Sequence, residues 1–408
     1  MTTSTAALAP PSRLDPFIHA LSRVYGPAVL GPSHLDSPPS AWTPPPAAAG
    51  HRGRYLWTDA FGVLDLLTLD REAGAAPGPG PGPGSSSPHH RHYYLDLAAR
   101  VVAAVHETLG RTRDGARRLG GASAAAPLAG GLRIGKEAGE GAAMDADGQY
   151  FHYLALWGFA LNRVGAAMAG AGRGRDEAAR FNGLGVQLMG AVHEWFFVGG
   201  SREAGRPRMV WKVAVEGGRV LVPSEGNLDP VDGYVVCRLL RAGARRWAGD
   251  EGDVLGKEIG DFEAVMRRKG EQRVSEDPLD LGMGLWAAHW FEGREEWATA
   301  LVRRAKDKAV RLHRAGYFAQ PLRARLAFRD FGAALGIGCV AGSDSGEGDE
   351  EAPLRACAAD VLAKWRDALE GPLTPGDLRP ISDVMYAAAL VPGAFKKGYF
   401  GPEAVDEE

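Results

Sequence analysis

Residues 224–240, SEGNLDPVDGYVVCRLL, set three carboxylates, two glycines and a proline ahead of an apolar run. Asp229 before Pro230 has the form of a helix N-cap followed by proline at the first helical position, and Asp232 one turn on suits the positive end of a helix dipole. Glu225 precedes the helix, and capping does not account for it. A carboxylate on a short loop leading into a helix is placed to meet a ligand. The stretch therefore reads as a helix start with at least one acid left over for chemistry.

The same form recurs along the chain. An acid opens or precedes a helical segment at Asp59 in YLWTDAF, Asp145 and Asp147 in DADGQYFHY, and Asp277 and Asp280 in DPLDLG. A weaker version continues at Asp330 in FRDFG and Asp383 in RPISDVMY. Apolar residues at three and four spacing mark about a dozen helices, near 14–25, 57–70, 92–110, 147–166, 175–199, 229–243, 254–269, 278–292, 294–314, 322–341, 351–369 and 380–393. Those following the acids are apolar on most sides, whereas the intervening ones carry charge along one face. Such alternation suits two layers of helical hairpins, with the inner helices covered and the outer ones facing water. Gly233, Gly282 and Gly284 fit crowded inner helices that approach closely.

Strand signals are few. Residues 209–225, MVWKVAV then EGG then RVLVPSE, alternate and turn on glycines, which predicts a β-hairpin. LRIGK, 132–136, is a second short strand candidate. The Pro-Gly segment 72–92 and the acidic segment 342–351 read as flexible surface insertions, because neither composition can hold a helix or a ladder. Similar helical sequence resumes after each, so residues 1–408 are expected to form one domain.

Composition narrows the class. The chain has 408 residues, 45% apolar and 24% charged, and a net charge of −3 without a basic block. A large core is therefore affordable, and neither nucleic acid nor an anionic membrane is indicated as partner. The start, MTTSTAALAPPSRLDPF, lacks a basic region followed by an apolar stretch, so no signal peptide is expected. No apolar run is long enough to span a bilayer. Cys237, Cys339 and Cys357 are odd in number and lie in apolar helical contexts, which suggests reduced core residues of a cytoplasmic protein.

Hairpins of helices with acids and aromatics before alternate helices resemble the six-hairpin glycosidase-like superfamily, the (α/α)6 toroids. That superfamily includes unsaturated glucuronyl hydrolases, several glycoside hydrolases and the N-acylglucosamine 2-epimerase group. The pieces that carry the resemblance are YLWTDAFGV, DGQYFHYL and SEGNLDPVDG. It implies an all-α toroid of about twelve helices with a small inserted hairpin. It also implies a site in a bowl reached through the loops before the inner helices, where Asp59, Asp147, Asp229 and Asp277 would converge.

Two carboxyl groups, about 5–5.5 Å apart for retention or about 6.5–9.5 Å for inversion, suffice for glycoside hydrolysis. The candidates are Asp59, Asp147 and Glu225, with Trp57, Gln149, Tyr150, His152, Asp229, Asp277 and His289 binding substrate. Planar polar groups would meet sugar hydroxyls, and aromatic faces the C–H side of the ring. The expected substrate is a small carbohydrate, with no metal or organic cofactor. Against this stands the plain reading, in which Asp147 and Asp229 cap helices and His152 is a core histidine, whereas Thr58 capping in place of Asp59 would free that carboxylate. An epimerase or isomerase working through His152 and His289 is the second enzyme reading. A non-catalytic toroid binding a glycan or protein is the third. His193 and His313 fall on outer helices, where packing or surface roles are expected. Arg323, Arg325 and Arg329 read as a solvated face more readily than as an anion site. GAGRGRDEAARF, 170–181, follows a helix and so fails as a dinucleotide loop, and HHRH, 89–92, lies in the Pro-Gly segment.

Overall fold

The computed structural model describes residues 14–35, 38–75, 92–198, 207–270, 273–342 and 349–407. The insertions expected at 72–92 and 342–351 fall largely outside them. The fold is all-α, with twelve α-helices among the described residues. They are α1 (Leu14–Tyr25), α2 (Leu56–Ala75), α3 (Tyr93–Leu109), α4 (Phe151–Gly170), α5 (Arg175–Phe196) and α6 (Asp229–Gly243). There follow α7 (Gly256–Lys269), α8 (Pro278–Ala288), α9 (Glu296–Arg314), α10 (Ala327–Val340), α11 (Ala352–Arg366) and α12 (Arg379–Leu390). None of the described helices is long and apolar enough to cross a membrane.

Sequence pattern separates these helices into two kinds. In α8 every residue from Leu281 to Ala288 is buried, and α4 is buried on most sides. In α9 only Ala298, Leu301, Val302, Ala305 and Ala309 are buried, a single stripe at helical spacing. Packing follows the same division. Helix α2 packs on α4, α4 on α6, α6 on α8, α8 on α10, α10 on α12 and α12 on α2, so the series of neighbours returns to its start. Against them lie α3, α5, α7, α9, α11 and α1 respectively, one on each.

Aromatic side chains fill the space between the even-numbered helices. Phe159 of α4 meets Trp286 of α8 edge-on, with centroids 4.9 Å apart, and Phe61 of α2 lies 4.9 Å from Phe395. An edge-to-face pair such as Phe159 and Trp286 adds about 0.5–1.5 kcal/mol beyond the area it buries. Helices α8 and α10 cross so closely that a Cβ on Gly282 would lie 1.9 Å from the Gly332 carbonyl oxygen. Gly233 makes room in the same way for Phe262 of α7, whereas Gly284 has ordinary space around it. The three cysteines are buried and unpaired.

Three short sheets supplement the helices. β1 (Ala138–Glu140) pairs with β2 (Ala146–Asp147), and β4 (Phe197–Val198) with β5 (Arg208–Met209). β3 (Gln149–Tyr150) pairs with β6 (Lys212–Val213), which pairs with β7 (Val220–Val222) as the expected hairpin, turning at Gly217 and Gly218. Two expectations need correction. Residues 132–136 join no sheet, although the Ile134 N–H donates to the Gly148 carbonyl at 2.8 Å. Helix α4 begins at Phe151 and not at 147, because residues 146–150 are drawn into strands and Gly148 takes a φ of 155°.

Asp65, in the middle of α2, is fully buried, and neither of its carboxyl oxygens has a partner among the described residues. Burial pushes its carboxyl well above the usual range. An acid raised on folding holds its proton more tightly in the folded chain. Its stabilising contribution is therefore full at low pH and is lost as pH climbs from the ordinary carboxyl range through the raised value. Asp65→Asn should accordingly gain on the parent chain by about 1.4 kcal/mol per pH unit across that window. Urea unfolding between about pH 5 and about pH 8 measures this. A difference that stays constant with pH would show that Asp65 is not held neutral.

Candidate functional site

The opening stretch becomes a pinned loop followed by a helix. Lys269, at the end of α7, donates to the carbonyls of Gly226 at 2.9 Å and Asn227 at 3.2 Å. The Asn227 side-chain amide donates to Asp280 Oδ2 at 2.8 Å and to the Arg273 carbonyl at 3.0 Å. Loop 224–228 is thereby held between α7 and the start of α8. Leu228, not Asp229, is the N-cap residue of α6, and its side chain bonds nothing there. Asp229 occupies the first helical position, with its carboxyl free of capping duty.

A cavity of about 380 Å³ opens where α2, α4, α6 and α8 begin, within the roughly 300–1,000 Å³ typical of small-molecule sites. Five acids line it: Glu225, Asp229 and Asp232 from the opening stretch, and Asp277 and Asp280 from the start of α8. Trp57, Trp211 and Trp286 supply aromatic faces, and His152 the imidazole. Tyr150 backs this wall by stacking on Trp211, with centroids 5.1 Å apart and planes 4° from parallel.

The five acids are not equivalent. Glu225 accepts from the Met209 N–H at 3.1 Å and pairs with Arg268. Burial works to raise its carboxyl, yet the Arg268 and Met209 bonds and the charges of Arg268 and Lys269 bring it below the usual range. Asp277 caps α8, accepting from the N–H groups of Leu279 at 3.0 Å and Asp280 at 3.2 Å, and pairs with Arg329 of α10. Asp280 is raised by burial, with the Asn227 and Ser275 hydrogen bonds opposing.

Asp229 and Asp232 are left. They are 3% and 6% exposed, and each keeps one buried carboxyl oxygen without a partner among the described residues. Burial raises Asp229 to about 7, the charge of Lys269 and the Gly226 N–H opposing and the charges of Asp280 and Glu225 assisting. Burial, the Asp229 charge and the Asp280 charge together push Asp232 well above the usual carboxyl range. The indole N–H of Trp286 is also buried and unpartnered among the described residues. His152 Nδ1 lies 3.8 Å from Asp229 Oδ1, and burial lowers this imidazole to about 3.

The other sequence candidates lie elsewhere. Asp59 does not line the cavity. It pairs with Arg54 at 2.9 Å and accepts from the Tyr25 hydroxyl at 3.2 Å, and burial, with Arg54 opposing, pushes it up to about 6. Asp147 sits in a strand and is engaged by Arg133 at 2.7 Å, Arg113 at 2.8 Å and the Gly135 N–H at 3.0 Å. Neither is positioned for catalysis in this cavity. Gln149 accepts from the Leu132 N–H at 3.0 Å and donates to Val215 and Gly130, which ties the hairpin to the 128–132 loop. His289 accepts at Nε2 from the Lys397 N–H at 2.9 Å and does not face His152 across the cavity. Asp330 pairs with Arg325, and Asp383 with Arg23, so these helix starts are neutralised too. Arg325 is buried, against the solvated face expected of it, while Arg323 is exposed.

Asp232, Asp280, Trp211 and Trp286 were not singled out as site residues by sequence reasoning. One signal pointed to the two acids: D-P-x-D occurs at the start of both α6 and α8. Its acids, three residues apart, share a helix face, and the two helices are neighbours. Comparison with family models, curated proteins and solved structures finds no match for this chain.

Proposed function

We propose that this chain is a single-domain carbohydrate-active enzyme, an (α/α)6 toroid that hydrolyses glycosidic bonds in the cavity at the start of α2, α4, α6 and α8. The closed succession of even-numbered helices, each backed by an odd-numbered one, supports the toroid. One observation carries the chemistry: two neighbouring buried acids, Asp229 and Asp232, each with an unpartnered oxygen, line a cavity that also holds three indoles. Neighbouring carboxyls in a shared low-dielectric site do not ionise together, so one keeps its proton while the other gives its up.

Asp232 is the acid. Its proton passes to the glycosidic oxygen as the bond from that oxygen to the anomeric carbon breaks. Asp229, ionised, stabilises the positive charge that develops on the sugar ring, and water attacks the anomeric carbon, leaving its hydroxyl there and returning its other proton to the Asp232 carboxylate. Trp57 and Trp211 offer faces for the C–H side of the ring, and the Trp286 N–H a donor to a hydroxyl. Glu225 remains an ionised neighbour held by Arg268. The mechanism needs no group beyond the protein's own, and the three unpaired thiols suit the cytoplasm. The two-histidine epimerase gains no support from His289. The capping by Asp277 favours a purely binding cavity at that one acid.

The test is turnover of a panel of aryl glycosides by the purified chain. Phenol release that rises with pH through about 7 and is lost in Asp229→Asn is the expected result. Absence of release from every glycoside removes hydrolysis, and release indifferent to Asp229→Asn and Asp232→Asn alike removes this pair of acids from the chemistry.

A further inference from the structure

We infer that the sugar bound in this cavity carries a free ammonium group, as an unacylated amino sugar does. The inference rests on the carbohydrate reading of the same site and narrows it. Five acids line the cavity and, among the described residues, no lysine or arginine does. The cations behind the wall are turned onto other partners: Arg268 onto Glu225, Arg329 onto Asp277, and Lys269 onto the backbone carbonyls of Gly226 and Asn227. Glu225 and Asp277 are thereby matched in charge. Among the described residues Lys269 is the cation whose charge acts on Asp229 and Asp280, and His152, the titratable group beside Asp229 from α4, is kept neutral by burial.

An ammonium group has three donors and no acceptor, whereas an ionised carboxylate only accepts. A sugar hydroxyl gains less, because it meets two acids that hold protons of their own. The indoles of Trp57, Trp211 and Trp286 add faces that attract a cation. Trp286, 1% exposed, brings an unpartnered N–H, which suits an acceptor elsewhere on the ligand. The cavity thus offers acceptors for a cation and a donor for a hydroxyl, the mixed set an amino sugar presents. Entry of the cation favours ionisation of Asp229, so binding releases a proton near neutral pH, while Asp232 keeps its own.

Calorimetric titration with glucosamine, glucose and N-acetylglucosamine at low salt tests this, repeated in two buffers of different ionisation enthalpy. Expected is a preference for glucosamine of roughly tenfold or more over both neutral sugars. Proton release should accompany binding, and the preference should be lost in Asp229→Asn and in Asp280→Asn, whose folding is checked by circular dichroism. Equal affinity for the three sugars overturns the inference and leaves the carbohydrate reading standing. Binding of spermidine with no sugar bound overturns the carbohydrate reading, and with it the amino sugar. No binding of any of the four overturns both.

Discussion

Asp232→Asn is expected to lower kcat on glycosides with poor leaving groups by roughly 10²–10⁴-fold, the usual contribution of a positioned general acid. The loss should shrink steeply on dinitrophenyl glycosides, whose leaving oxygen departs without a proton. The replacement keeps the size of the protonated side chain and cannot supply its proton. Because burial, Asp229 and Asp280 hold Asp232 neutral in the parent, the amide leaves the fold nearly undisturbed. Kinetics therefore separate from stability: unfolding by urea should move little while the dependence of kcat on leaving-group acidity becomes steep. Glu225→Gln serves as the contrast. Its carboxylate is already bound by Arg268 and the Met209 N–H and has no proton to lend, so its loss should leave the leaving-group dependence flat. The parent's pH profile should rise as Asp229 ionises near 7 and fall at higher pH as Asp232 gives up its proton. Both limbs belong to the coupled pair more than to either acid. A flat leaving-group dependence in Asp232→Asn would falsify its role as acid.

What could be read from the chain was the part governed by local spacing. The all-round apolar character of α4 and α8 and the single stripe of α9 give the two helix classes before any contact is known. The hairpin at β6 and β7 follows from alternation and two turn glycines. What could not be read was which acids are already paired. Asp147 meets Arg113, and Asp59 the Tyr25 hydroxyl, both 34 residues away, while Asp383 meets Arg23 across 360 residues. An acid before a helix looks the same in sequence whether a distant arginine reaches it or not. His289 is hidden in the same way, since the Lys397 N–H that occupies its ring nitrogen lies 108 residues on. One local signal was overlooked: Arg54 precedes Asp59, and Arg325 precedes Asp330, by five residues each, and both pairs form buried salt bridges. Arginine shortly before such an acid marks it as structural, whereas Asp229 and Asp232 have none in the preceding stretch.

The same contrast sets the largest stability effect. Asp147→Ala is expected to cost about 3–5 kcal/mol, because it breaks a buried ion pair by removing one partner. The Arg133 side chain is fully buried, and Asp147 Oδ2 lies 2.7 Å from it and 2.8 Å from Arg113. The other oxygen accepts from the N–H groups of Gly135 at 3.0 Å and Gly148 at 3.1 Å. Without the carboxylate, Arg133 keeps the carbonyls of Arg111 for Nε and of Thr108 for Nη2, but Nη1 loses its acceptor and the buried charge its partner. Asp147→Asn should fall short of this loss, since an amide oxygen still accepts from one guanidinium. Urea unfolding measures both, and turnover per folded molecule gives the complementary reading. A residue that organises the 133–148 loop leaves that turnover near the parent value, whereas one that takes part in bond cleavage does not. Stability retained in Asp147→Ala alongside abolished turnover would return Asp147 to the chemistry and displace Asp229 and Asp232 from it.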